Sequence, residues 1–118
     1  MADISIPSFA TCIVKPDERI KVTITDSLWC ITSVSINVTD DMPKEGRVVV
    51  YISQINEEGK EGEKIAIAPL RVGQCEVVNV DYTINSFSPI IISTSGDKIT
   101  VSVNGYTTTS EPPTFEKI

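Results

Sequence analysis

Seven carboxylates in two short segments are the residues of this sequence best placed to do chemistry. They are Asp40, Asp41 and Glu45 in the first segment and Glu57, Glu58, Glu61 and Glu63 in the second. Carboxylates can ligate a metal ion, act as general acid and base, or bind a basic partner. Four cations, Lys44, Arg47, Lys60 and Lys64, alternate with them and offset part of their charge. In an isolated domain such residues usually form solvated turns, and this alternative stays open.

The composition argues against catalysis. Histidine is absent, and histidine is the commonest general base near neutral pH and the commonest metal ligand. Asp26 and Asp81 have no third acidic neighbour at metal-ligand spacing, and no two carboxylates stand out as a glycosidase pair. The sequence therefore predicts a binding or assembly module that is not an enzyme and that has no cofactor and no metal.

The net charge and the positions of the cysteines limit which classes of binding partner and which cellular compartment we expect. The formal net charge of −6 disfavours direct binding to nucleic acid or to an anionic membrane, and it favours a basic partner. No apolar run approaches the roughly 20 residues that cross a bilayer, and the first residues lack a signal-peptide pattern. Cys12, Cys30 and Cys75 each lie in or beside an apolar run, so we expect buried free thiols in a reducing, intracellular compartment.

Hydrophobic periodicity predicts an all-β fold. β-Branched residues recur with period two, and turn residues interrupt them about every eight to twelve positions. The predicted strands lie near residues 9–15, 19–25, 28–38, 48–52, 64–72, 76–84, 89–93 and 98–105, with a tight turn at residues 94–97. This pattern of about eight strands is typical of a sandwich or barrel.

Two of these strands carry further information. In the third, Trp29 and Ile31 are odd-numbered whereas Val34 and Ile36 are even-numbered, which predicts a β-bulge near residues 32–33 and a buried Trp29. The fourth is apolar at every position, so both of its faces need cover by another layer or another subunit.

After Tyr106 the sequence becomes polar and proline-rich. We therefore expect a core domain over residues 1–106 and a mobile tail over residues 107–118.

The order of these features resembles the core domain of the nucleoplasmin family. The matching segments are, in chain order, residues 9–16, 28–36, 40–41, 47–51, 57–63, 67–71 and 95–106. They correspond to an aromatic-led strand ending in a basic-proline turn, a Leu-led strand, an acidic loop, a Val-rich strand, an acidic hairpin, an Ile-Ala-x-Leu strand and a glycine turn with its exit strand. The sequence departs from the family at Ala10, where a tryptophan is expected, and at residues 94–97. The long acidic tract of many members does not occur in these 118 residues.

The resemblance implies an eight-stranded jelly roll that assembles into a pentameric ring, alone or as two rings face to face. It implies a histone chaperone of the nucleus or nucleolus whose seven loop carboxylates bind core histones. An alternative from another class also stays open, in which the domain is a purely structural jelly roll, such as an oligomerisation headpiece, capsid or scaffold component, that does not bind histones.

Overall fold

The computed structural model describes residues 8–25, 27–37, 43–85, 89–108 and 112–118. These residues form nine strands, β1 (Ser8–Val14), β2 (Ile20–Thr23), β3 (Trp29–Ile36), β4 (Arg47–Gln54), β5 (Ile65–Arg71), β6 (Val77–Ile84), β7 (Ile90–Gly96), β8 (Val101–Thr107) and β9 (Thr114–Lys117). Within the described ranges no helix is long and apolar enough to span a membrane.

The strands form two antiparallel sheets that pack face to face. Sheet A has the strand order β1-β8-β3-β6, and sheet B has the order β5-β4-β7-β2-β9. Alternate side chains point between the sheets, as on β2, where Ile20 and Val22 are buried whereas Thr23 is exposed. The prediction of an all-β sandwich is therefore confirmed.

The predicted bulge in β3 is confirmed. Pairing of β3 with both β6 and β8 shifts register between Ile31 and Ser33. The extra residue, Thr32, is exposed, and Trp29 and Val34 are both fully buried although their positions differ in parity. One unpaired residue thus keeps the whole strand facing a single core.

Trp29, the first residue of β3, is buried between the two sheets. Its side chain is fully buried, its Nε1 donates a hydrogen bond to the carbonyl oxygen of Ala10 at 3.3 Å, and its ring meets that of Phe115 edge-on at 5.3 Å. A Cβ on Gly105 would lie 2.7 Å from the Trp29 Nε1 and 2.4 Å from the carbonyl oxygen of Cys30. Because Gly105 has no Cβ, β8 can pack closely against the backbone of β3 and the indole of Trp29.

The fourth strand is covered more completely on one face than on the other. Val48, Val50 and Ile52 are buried in the core, whereas Val49 and Tyr51 are half-buried on the outer face of sheet B. Burial therefore alternates along residues 48–52 although all five side chains are apolar. Within one chain the predicted second cover is only partial.

The prediction of a mobile tail is wrong for Thr114–Lys117, which form β9. This strand pairs antiparallel with β2, Phe115 contacts Trp29, and Lys117 forms an ion pair with Glu18 at 2.8 Å. That contact is the first cause of a lowered pKa of the Glu18 carboxyl group. Polar composition describes only neighbouring residues in the sequence. It does not reveal that β2 has an unpaired edge with which these residues can pair.

The predicted turn at residues 94–97 is also wrong in position. β7 continues through Gly96 because Thr94 and Ser95 pair with β4. The chain leaves sheet B one residue later, where the Asp97 side chain accepts a hydrogen bond from the Arg47 backbone N–H at 2.9 Å. Pairing with a long neighbouring strand outweighs the turn preference of Thr, Ser and Gly.

The cysteine prediction holds for one residue of three. All three thiols are free, but only Cys12 is buried, whereas Cys30 is half-buried and Cys75 is exposed. Burial, and then the charge of Glu18, raises the pKa of the Cys12 thiol to about 12. Cys75 differs because it lies in the connection between β5 and β6, outside the core.

We expect Phe115→Ala to lower the free energy of unfolding by about 2 kcal/mol, because a half-buried aromatic ring against Trp29 is lost. Denaturant unfolding followed by tryptophan fluorescence measures this change. Glu116→Ala, at an exposed position of the same strand, serves as the control and should change stability by less than about 0.5 kcal/mol. Equal unfolding midpoints for the two variants would contradict the docking of β9.

Candidate functional site

Residues 55–64, which connect β4 to β5, form an ordered turn that we call the acidic hairpin. Ile55 and Glu61 form an antiparallel bridge. The Asn56 N–H donates to the Lys60 carbonyl oxygen at 2.9 Å, and the Gly62 N–H donates to the Gln54 carbonyl oxygen at 2.7 Å. The backbone hydrogen bonds of sheet B therefore continue into the segment that carries the carboxylates.

Asn56 organises the tip of the acidic hairpin. Its Oδ1 accepts hydrogen bonds from the backbone N–H groups of Glu58 at 3.0 Å and Lys60 at 2.8 Å. Gly59 follows with a φ of 80°, a conformation that favours glycine. Sequence analysis did not single out Asn56, although asparagine at the start of a turn is the signal of such side-chain bonding. The ordered backbone leaves the Glu57 and Glu58 side chains exposed to solvent.

Glu61 is anchored to the outer face of sheet B. Its Oε2 accepts a hydrogen bond from the Ser53 hydroxyl at 2.6 Å, and its Oε1 forms an ion pair with the Arg19 guanidinium group. The Glu61 side chain is only 26% exposed. The Ser53 hydrogen bond and then the Arg19 contacts lower the pKa of Glu61. Both carboxylate oxygens are engaged, so Glu61 holds the hairpin on the sheet.

Neither partner of Glu61 was identifiable from the sequence. Arg19 lies 42 residues away along the chain, and Ser53 is a buried polar residue at the end of an apolar strand. The Nε of Arg19 is itself buried without a hydrogen-bond partner among the described residues. The guanidinium group is therefore held mainly by Glu61.

The structure separates the predicted carboxylates into two groups. Glu45 precedes β4 and the acidic hairpin follows it, and eight residues of strand place the two about 23 Å or more apart. Glu45 lines an open groove of about 600 Å³ together with Lys44, Arg47 and Arg71. It thus lies among cations. Glu57, Glu58 and Glu63 remain exposed together on the acidic hairpin.

Two of the predicted site residues, Asp40 and Asp41, lie outside the described residues. Within the part of the chain that the structure describes, no three acidic or cysteine side chains converge in a way that could hold a metal ion. The arrangement of the described groups suits binding of cationic side chains by exposed carboxylates.

Comparison with known proteins places this architecture in a family. The model of the nucleoplasmin-like domain matches residues 9–108. The chain belongs to the nucleoplasmin-like domain family. Nucleoplasmin-like domains are histone-chaperone and scaffold folds rather than enzymes, in agreement with the prediction of a module without catalytic function.

Two solved nucleoplasmin-like structures are similar to this chain. The core of Drosophila NLP is 14% identical, with a TM-score of 0.70, and the match covers 90% of this chain and 100% of that chain. The nucleoplasmin-like N-terminal domain of Drosophila FKBP39 is 19% identical, with a TM-score of 0.67, and the match covers 93% of this chain and 97% of that chain. At these identities the similarity shows a shared fold. No curated protein matches the sequence.

We expect Arg19→Gln and Ser53→Ala each to raise the pKa of Glu61 towards the ordinary glutamate value of 4.5. Because the folded-state pKa lies below that value, the contacts stabilise the fold above it and this contribution is lost as the pH falls through the folded-state pKa. A ¹³C NMR titration of the Glu61 side chain measures the shift. Lys21→Gln removes a cation from the same region of β2 and should leave the curve unchanged. Superimposable curves for all variants would contradict the anchoring of Glu61.

Proposed function

We propose that this domain is a pentameric histone chaperone that binds basic core histones through the acidic hairpin. The observation that carries the proposal is an ordered cluster of exposed carboxylates on a nucleoplasmin-like fold. The crystal structure of the Drosophila NLP core provides insight into pentamer formation and histone binding of that protein, and this supports the same assembly and ligand here. Nuclear or nucleolar residence is part of the proposal, since nucleoplasmin-like histone chaperones are typically nuclear.

Assembly turns a weak local feature into a usable binding surface. In one chain Glu57, Glu58 and Glu63 face two nearby cations, Lys60 and Lys64, and an exposed ion pair contributes only about 0.2–1 kcal/mol. In a cyclic ring all copies of the hairpin lie on the same side of the particle. The five copies then act by avidity on a histone with many lysines and arginines, while salt screens each contact beyond roughly 8 Å.

The seven predicted carboxylates have different roles in this proposal. Glu57, Glu58 and Glu63 contact the histone, and Glu61 keeps the hairpin on sheet B. Glu45 contributes a second contact away from the hairpin, and Asp40 and Asp41, which lie outside the described residues, are included as histone contacts on the sequence alone. Two rings packed face to face would bring further copies of these surfaces into one particle. Nucleic acid and membranes are not partners of such an acidic surface.

A second candidate function has support from the same contacts. Both carboxylate oxygens of Glu61 are already bonded, one to Arg19 and one to Ser53. Two lysines offset part of the remaining charge of the acidic hairpin. A purely structural domain that only self-assembles is consistent with this balance. The two candidates share the oligomer and differ in histone binding.

We expect the wild-type chain to sediment as a pentamer and to bind fluorescently labelled core histones. The variant Glu57→Gln/Glu58→Gln/Glu63→Gln should bind about tenfold more weakly at roughly 0.15 M salt, because three exposed ion pairs of modest energy are lost. The control variant Asp17→Asn/Glu76→Gln/Glu116→Gln removes the same charge elsewhere and should change affinity less than about twofold.

Each alternative result has a defined meaning. Sedimentation of the wild type as a single subunit contradicts the assembly. Equal losses of affinity in both triple variants show that net charge, and not the hairpin, drives binding. A pentamer that does not bind histones supports the structural alternative.

A further inference from the structure

Two arginines lie directly opposite each other on the outer face of sheet B. Arg47 begins β4 and Arg71 ends β5, and the two residues pair in the register of these strands. Both are exposed, and we call them the arginine pair. Side chains paired in this way share one face with Cβ atoms about 5 Å apart, and like charges in such a position destabilise a sheet. A bound anion would remove this repulsion.

No carboxylate of the described residues neutralises the arginine pair. The ion pairs found among the described residues involve neither arginine. The Arg71 Nη1 donates a hydrogen bond to the uncharged side-chain oxygen of Gln74 at 3.3 Å. The Asp97 carboxylate accepts a hydrogen bond from the backbone N–H of Arg47 at 2.9 Å, and not from its guanidinium group. Both positive charges are therefore available to a ligand.

The arginine pair forms one end of a second groove, which we call the β4–β5 groove. Its volume is about 600 Å³, and its walls include Val49, Pro69 and Cys75 but no carboxylate of the described residues. Val49 and Pro69 pair with each other two residues away from the arginines. The groove therefore combines two cations with an apolar floor, on a chain whose net charge is −6.

The spacing within the β4–β5 groove matches that of an extended peptide. Arg47 and Val49 lie two residues apart on one strand, as do Arg71 and Pro69 on the next, a distance of about 7 Å. Alternate side chains of an extended peptide point to the same side with the same repeat. A peptide lying along the groove therefore brings one side chain to the arginine pair and the side chain two residues later to the apolar floor.

The chemistry of the arginine pair favours a phosphoryl group over a carboxylate. A phosphoryl group carries a charge of about −1.5 to −2 at neutral pH and three acceptor oxygens. This charge is close to the sum of two guanidinium charges, and each guanidinium group can donate two parallel hydrogen bonds to such oxygens. A carboxylate has one charge and two oxygens, which a single guanidinium group already satisfies.

We propose that the β4–β5 groove binds a phosphorylated side chain of an extended peptide that carries an apolar side chain two residues later. This ligand differs from the histone of the proposed function, because the arginine pair repels a basic partner. The acidic hairpin lies at the other end of β4, about 23 Å or more away. Salt screens its charge beyond roughly 8 Å, so the two surfaces act independently.

Fluorescence anisotropy with the assembled wild-type protein tests the ligand class. The probe is a rhodamine-labelled, glycine-rich peptide with one phosphoserine and, two residues later, one valine. We expect it to bind at least about tenfold more tightly than its unphosphorylated form, because charge-assisted hydrogen bonds are gained. Replacing the valine of the peptide by serine should weaken binding about threefold, since apolar contact with the groove floor is lost.

Variants of the protein locate the site. Arg47→Gln and Arg71→Gln should each weaken phosphopeptide binding at least about tenfold, because glutamine cannot replace a charged, bidentate donor. Lys64→Gln removes one exposed cation from the acidic hairpin and should change affinity less than about twofold. In the wild type the phosphopeptide should also slow alkylation of the exposed Cys75 thiol at least about threefold, measured by peptide mapping. Alkylation of the half-buried Cys30 thiol should keep its rate.

The outcomes separate this inference from the proposed function. Equal affinity for phosphorylated and unphosphorylated peptides overturns it, as do equal losses in Lys64→Gln and the arginine variants or an unchanged alkylation rate of Cys75. Inorganic phosphate or an oligothymidylate that competes better than the phosphopeptide overturns the peptide as ligand. A protein that binds the phosphopeptide but not histones supports this inference and refutes the chaperone function.

Discussion

One extra residue in β3, Thr32, lets Trp29 and Ile31 face the same core as Val34 and Ile36. β3 pairs with β8 on one side and with β6 on the other, and both pairings change register between Ile31 and Ser33, where β3 has one residue more than β8 and one fewer than β6. Without that residue, half of β3 would direct its apolar side chains to solvent. The position of Trp29, the close approach at Gly105 and the docking of Phe115 all follow from this register.

Contacts on sheet B hold the acidic hairpin in position. Ser53 lies on the outer face next to the end of β4, and Glu61 folds back across it to reach Arg19. The acidic hairpin is thereby held by one of its own carboxylates. The four acidic residues of the hairpin consequently divide into one that positions the turn and three that remain exposed to solvent.

Charge is distributed unequally between the two sheets. Sheet B and its hairpin carry most of the ionised groups discussed above, whereas the outer face of sheet A is nearly uncharged and is hydrogen-bonded internally around Asn104.

Local pattern in the sequence determined much of the fold. Period-two alternation located β1 and β8, a change of parity located the bulge in β3, and the order of the segments identified the nucleoplasmin-like family, because each of these signals is contained in a few neighbouring residues. Contacts between distant residues could not be predicted in this way. Pairing of β9 with β2, the position of the turn after Gly96, the exposure of Cys75 and the anchoring of Glu61 by Arg19 depend on which strand lies alongside which. Only the tertiary structure decided them, since hydrogen-bond partners and burial are set by neighbours in space and not by neighbours along the chain.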